Sequence, residues 1–198
     1  MCRFVESIQL NNGQFKRLEL HQARLERAMD AYYPNKTIIN LKEILENSGY
    51  PTNGLYKCRI IFDSEVRKIE FSSYIRRDIQ SLKLIETEIE SRTYKLEDRG
   101  EFELAFSLRN NCDDVLFVKN GLLTDTSYCN IALYDGDNWY TPLIPLLYGV
   151  NREQLINDKK LIEKKIKPNE LVNFQQICLF NAMLEFSELM FDVSSICP

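Results

Sequence analysis

The chain has 198 residues, 44% of them hydrophobic and 27% charged, the composition of a globular protein with a sizeable core. With 25 Lys and Arg against 29 Asp and Glu the net charge is −4, and no basic block interrupts it. That balance argues against wholesale binding to nucleic acid or to a membrane surface. No apolar run approaches the roughly 20 residues that span a bilayer. The opening Met-Cys-Arg-Phe-Val-Glu lacks the basic and apolar regions of a secretory signal, so a cytoplasmic location is expected.

The rare residues narrow the chemistry. Cys2, Cys58, Cys112, Cys129, Cys178 and Cys197 include no CxxC pair, so reduced thiols are expected and no metal site. His21 is the single histidine, which excludes HExxH, and no GxSxG segment occurs. The seven glycines form neither GxGxxG nor a P-loop. Any reaction must therefore run on Lys, Asp or Glu, Tyr, or a bound cofactor.

In chain order, residues 3–10 alternate loosely as a strand, and Asn12-Gly13 turns the chain into Phe15–Leu18. Helical spacing of Leu20, Ala23, Leu25, Ala28, Met29 and Tyr32 predicts a helix that Pro34 stops. A second helix is predicted over Leu41–Asn47, before Gly49 and Pro51. Strands follow at Leu55–Phe62, Lys68–Ile75 and Leu82–Ile89, the first two joined through Ser64-Glu65. After the polar stretch Glu90–Tyr94 comes a helix at Glu101–Leu108. A meander is predicted from Val115–Val118, Leu122–Thr124, Asn130–Tyr134 and Trp139–Thr141. The remainder reads as a helix near residues 151–158, a strand at Leu161–Ile166 and a short helix near Asn169–Phe174. Strands at Ile177–Phe180 and Phe191–Ile196 complete it. The elements up to Ile89 read as a compact α+β unit, and the polar stretch Glu90–Tyr94 is the best domain boundary.

Three features could carry chemistry. Gly149-Val150-Asn151-Arg152 places a glycine at the mouth of a helix whose free N–H groups suit a phosphate, although a plain helix start reads the same way. Arg24 lies one turn after His21, either facing a ligand or solvated. Thr124-Asp125-Thr126-Ser127 sets hydroxyls and a carboxylate between two strands, to bind a ligand or to make a turn.

Together with their neighbours these features resemble the class IV aminotransferases, the fold-type IV pyridoxal-phosphate (PLP) enzymes. The segments that carry the resemblance are LHQARL (20–25), YKLEDR (94–99), LLTDTSYCNIALY (122–134) and YGVNREQLI (148–156), in the family's order. The resemblance implies a two-domain D-amino-acid-aminotransferase-like fold, with a small α+β first part over residues 1–88 and a mostly β, barrel-like, PLP-binding second part with flanking helices over residues 89–198. It implies pyridoxal 5'-phosphate as cofactor and Lys95 as the lysine that carries it as a Schiff base and shuttles a proton. Asp125 stands where the family has a glutamate facing the pyridine nitrogen, one methylene longer. Arg24 matches the phosphate-binding arginine of an HxxR pattern. Val150 and Asn151, the latter in place of the usual Thr, match the helix start that holds the same phosphate. Thr126 and Ser127 would line the cofactor. Arg59, Arg99 and Asn181 are candidates for the substrate side.

Two segments lean towards aminodeoxychorismate lyase within the family. Lys95-Leu-Glu-Asp-Arg99 is similar to its K-x-x-x-R pattern, and Phe180-Asn181-Ala182-Met183 to its C-N-A/S-L/M segment. The implied reaction converts 4-amino-4-deoxychorismate to 4-aminobenzoate and pyruvate. The alternatives are an aminotransferase for branched-chain or D-amino acids, or a non-catalytic relic of the fold. The family opens with further strands before the position matched by Phe4-Val5-Glu6, so substrate-side groups from those strands are expected to be absent. A small-molecule amino substrate and a homodimer are implied, with no nucleic-acid or membrane partner.

Overall fold

The structure, a computed structural model, describes residues 2–198 and divides them into two compact units. The first runs to Ile75 and takes back Thr93–Asp98; the second comprises Arg76–Arg92 and Arg99–Pro198. The single division predicted at residue 88 thus differs from the observed one on both sides. The strand at Leu82–Glu86 pairs with Asp114–Lys119 and so belongs to the second unit. Residues 95–97 return to the first unit because the start of its first strand offers them an open edge. Val5 N–H donates to the Lys95 carbonyl and Glu97 N–H to the Arg3 carbonyl, both at 2.9 Å.

In the first unit, β1 (Phe4–Asn11), β2 (Gln14–Phe15), β3 (Leu55–Phe62) and β4 (Val66–Ser73) form an antiparallel sheet in the order β2-β1-β3-β4. The helices are α1 (Leu18–Tyr32) and α2 (Leu41–Glu46). Asn40 caps α2, its side chain accepting from Glu43 N–H at 3.1 Å. The apolar stripe of α1, with Leu25, Ala28 and Met29, packs on Phe4, Ile8, Cys58, Ile60 and Phe62 of the sheet.

The second unit contains β5 (Leu82–Glu86), α3 (Gly100–Ser107), β6 (Asp114–Lys119), β7 (Leu122–Thr126), β8 (Asn130–Tyr134) and β9 (Trp139–Pro142). It continues with α4 (Val150–Asn157), β10 (Ile162–Lys164), β11 (Gln176–Phe180), β12 (Met190–Asp192) and β13 (Ile196–Cys197). One sheet has the order β13-β5-β6-β7 and the other β10-β9-β8-β11-β12. Their inner faces share one core, with Leu82, Leu116 and Leu123 from the first and Ile131, Leu133, Ile177 and Leu179 from the second. Asn120 and Gly121 turn β6 into β7 with φ of 52° and 74°, the left-handed pair that a tight hairpin requires.

The final strand predicted at Phe191–Ile196 is divided in two. The Asp192 carboxylate accepts from Ser194 N–H at 2.8 Å and folds Val193–Ser195 into a 3-10 turn. The chain thereby leaves β12, antiparallel to β11, and enters β13, parallel to β5 in the other sheet. Among the described residues no helix is long and apolar enough to cross a membrane, and no group of His, Cys, Asp and Glu could hold a metal ion.

Leu179 is fully buried on β11, which lies between β8 and β12. Leu179→Ala is expected to cost about 2–5 kcal/mol. Urea unfolding followed through Trp139, the only tryptophan and a resident of the same sheet, measures it.

Candidate functional site

In the first unit the site begins with a carboxylate buried where strands normally carry apolar side chains. Glu6 lies on β1 between Val5 and Ile8, and α1 brings His21 and Arg24 against it one helical turn apart. Glu6 Oε1 accepts from Arg24 Nε at 2.8 Å, and Oε2 accepts from Arg24 Nη2 at 2.6 Å, a two-pronged pair. Oε2 also meets His21 Nδ1 at 2.5 Å. Burial pushes the Glu6 carboxyl up, but Arg24 and then His21 outweigh it and hold the value at about 2. Burial lowers His21 against the pull of Glu6, so the ring is neutral at pH 7 and donates Nδ1–H to Glu6. Its Nε2, buried without a partner, is then a bare acceptor.

Lys95 is half-buried beside β1, its main chain paired to Val5 and its Nζ donating to Ser7 Oγ at 3.3 Å. Arg59, opposite Glu70 in the β3–β4 register, pairs with Glu70 at 3.4 Å and Glu97 at 3.3 Å. The structure therefore gathers Lys95, Arg24 and Arg59 in one unit. It adds Glu6 and Ser7, which sequence reasoning passed over. The available signal for Glu6 was a lone acid within an otherwise buried strand run, set before an HxxR helix.

In the second unit Asp125 is buried on β7. Its Oδ1 accepts from Asn130 Nδ2 and its Oδ2 from Leu147 N–H, each at 2.9 Å. Desolvation raises its pKa to about 6 despite these two hydrogen bonds. Among the described ion pairs none includes Asp125. Asn130 also donates to the Leu147 carbonyl at 2.9 Å, and its Oδ1 faces Gly149, where an added Cβ would lie only 2.1 Å away. Sequence reasoning found Asp125 and Gly149 but not Asn130, which sits in the matched segment with nothing local to mark its role.

Thr126 Oγ1 accepts from Cys129 N–H at 3.0 Å, and Thr124 donates to the Phe117 carbonyl at 3.1 Å. The Ser127 carbonyl accepts from Arg99 Nη2, and the Arg99 guanidinium lies 4.6 Å from the Phe102 ring centre. Gly149 precedes α4, whose first N–H groups, from Val150 onward, have no partner within the helix. Asn151 donates to the carbonyls of Asn181 at 2.8 Å and Leu184 at 3.2 Å, leaving its buried Oδ1 unpartnered. Asn181 closes the turn after β11, accepting from Met183 and Leu184 N–H and donating to the Tyr128 carbonyl and Cys129 Sγ. Asp125, Thr126, Ser127, Arg99, Val150, Asn151 and Asn181 thus all belong to the second unit.

A family model described as amino-transferase class IV matches residues 69–189. An uncharacterized protein of Haemophilus influenzae is 33% identical over 185 residues, covering 92% of this chain and 98% of that protein. The structure of a candidate 4-amino-4-deoxychorismate lyase from Haemophilus somnus superposes with a TM-score of 0.86 at 26% identity, over 93% of this chain and 98% of that one. A candidate amino-acid aminotransferase from Mesorhizobium loti gives 0.78 at 18% identity, over 97% and 99%. The PLP-bound form of a hypothetical aminotransferase from Mycobacterium tuberculosis gives 0.70 at 15% identity, over 95% and 80%. The last two likenesses show the fold.

The state of Asp125 sets a pH dependence. Its folded value of about 6 lies above the 3.8 of the free side chain, so ionisation works against the fold fully above about 6 and not below about 4. On acidification from pH 6 to pH 4 the ligand-free wild type should gain stability relative to Asp125→Asn, by an amount on the order of 1–3 kcal/mol. Urea midpoints of both proteins across that window are the measurement; a constant difference contradicts the raised value.

Proposed function

Because the chain belongs to the amino-transferase class IV family and is an enzyme of that class, we propose that it is a PLP-dependent lyase converting 4-amino-4-deoxychorismate to 4-aminobenzoate and pyruvate. The observation that carries the cofactor half of this reading is Asp125. Here a carboxylate is fixed by Asn130 and Leu147, poised near 6 by burial, and has no cation paired to it in the described structure. A protonated pyridine nitrogen is the positive charge that such a group lacks. Arg24 and the start of α4 at Val150 and Asn151 would hold the phosphate, and Thr126 and Ser127 would line the ring. When bound, the cofactor supplies an electron sink for negative charge developing on the substrate.

Lys95 supplies the amine that anchors the cofactor and then takes and returns a proton at Nζ. The product is aromatic, so much of the driving force lies in the substrate, and the protein has chiefly to orient it and move protons. The substrate carboxylates need cations. Arg99 fits this better than Arg59, because its bond is to a carbonyl whereas Arg59 already holds two carboxylates. The side chain of Asn181 is engaged in the turn after β11, so its part is to shape that turn. The choice of lyase is supported by similarity to the Haemophilus somnus protein and by Lys95-Leu-Glu-Asp-Arg99. In this reading the enzyme is a cytoplasmic homodimer that supplies 4-aminobenzoate for folate. An aminotransferase acting on branched-chain or D-amino acids would use the same residues, and a relic would bind without turnover.

After PLP is added and unbound cofactor removed, wild type is expected to keep a violet-region absorption band that borohydride converts to a covalent adduct surviving denaturation, and Lys95→Ala to form no such adduct. Given aminodeoxychorismate, wild type should release pyruvate with the band unchanged after turnover. Conversion of the cofactor to its amine form by an amino acid instead would establish an aminotransferase, and a band without any turnover a relic. Asp125→Ala should retain the band and lose about 10²-fold or more in turnover, since the ring nitrogen then loses its counter-charge.

A further inference from the structure

Glu6 is the one carboxylate of β1, and its two oxygens are occupied by three donors from α1. A buried carboxylate in a strand is costly unless paired, and here the pairing has a definite shape. Arg24 gives Glu6 its Nε and Nη2, which lie along one edge of the guanidinium plane. Nη1, on the opposite corner, has no hydrogen-bond partner among the described residues and is not fully buried. His21 grips Oε2 from the other side, and neither side chain has room to move, with exposure of 0% for His21 and 3% for Arg24.

We propose that Glu6 is a positioning residue that clamps the Nε–Nη2 edge of Arg24, so that Nη1 is presented to the cofactor phosphate in one fixed orientation, with His21 bracing Glu6. This rests on the PLP reading and on Arg24 as the phosphate ligand. The rotamer freedom of a long side chain is removed before the phosphate arrives, and this favours binding without a new contact. The proposal opposes the purely electrostatic expectation. If Glu6 merely neutralised Arg24, removing its charge would strengthen phosphate binding. If Glu6 orients Arg24, the same change weakens it. Glu6→Gln separates the two, because in either orientation its amide nitrogen faces one of the two arginine N–H groups that Glu6 now accepts, and the guanidinium must turn.

The test compares affinities of the apo protein for PLP and for pyridoxal, which lacks the phosphate, by absorption titration and equilibrium dialysis. The dissociation constant for pyridoxal divided by that for PLP isolates the phosphate contribution. Glu6→Gln should lower that ratio at least tenfold with pyridoxal affinity within twofold of wild type. Arg24→Ala should lower it as well, and adding Glu6→Gln to Arg24→Ala should change nothing more. A ratio that is unchanged or increased in Glu6→Gln, or equal losses for both ligands, overturns the proposal. If Glu6→Gln does not fold, Glu6→Asp replaces it, retaining the charge and shortening the reach; a lowered ratio supports the clamp and an unchanged one overturns it. Wild type that binds neither ligand overturns the cofactor reading itself. Wild type that binds both equally removes Arg24 from the phosphate and the clamp with it.

Discussion

The amide of Asn130 joins three parts of the second unit through one planar group. Its nitrogen gives one hydrogen to Asp125 on β7 and the other to the Leu147 carbonyl, and its oxygen faces Gly149 where α4 begins. Leu147 N–H closes the figure by donating to Asp125. A side chain at 149 would collide with Asn130, so glycine is required there by close approach and not by backbone strain, its φ of −74° being open to any residue. The position of α4 relative to β7 and β8 follows from this network. So does the simultaneous placement of a carboxylate and a helix N-terminus that a phosphorylated, nitrogen-containing ring could engage.

Two of the buried carboxylates, Glu6 and Asp125, end on opposite sides of the usual carboxylate value. Glu6 and Asp125 are both removed from solvent, and desolvation raises the pKa of each. Glu6 ends at about 2 because Arg24 and His21 contact it directly, whereas Asp125 ends at about 6 because its two partners are neutral N–H donors. In the proposed reading Glu6, already paired with Arg24 and His21, orients a cation, whereas Asp125, held by Asn130 and Leu147, faces the cofactor's ring nitrogen.

Much of the element order was legible, because α1, α2, β3 and β8 carry strong periodicity and are bounded by Pro34, Gly49, Gly54 and Gly136. The candidate site was partly legible. Arg24, Lys95, Asp125 and Gly149 stand out through their segments, but Glu6 and Asn130 do not, since Glu6 meets Arg24 18 positions away and Asn130 ties Asp125 to Leu147, 17 positions further on. The break at Val193–Ser195 also escaped the pattern. An Asp-Val-Ser-Ser run is compatible with a continued strand, and the hydrogen bond of Asp192 to Ser194 decides otherwise.

By itself the sequence determined the periodic elements, the lack of CxxC, P-loop and GxSxG segments, and the residue types that a phosphate and a ring cofactor require. Such properties depend on spacing over a few residues, which the chain carries directly. The tertiary structure alone decided that residues 93–98 return to the edge of β1, that the last strand changes sheets, and that Glu6 holds Arg24 by two bonds. It also decided that the carboxyl of Glu6 is held low and that of Asp125 is pushed up. These outcomes depend on which backbone edges remain unpaired and which donors meet a buried acceptor, and both are settled only when distant segments pack together.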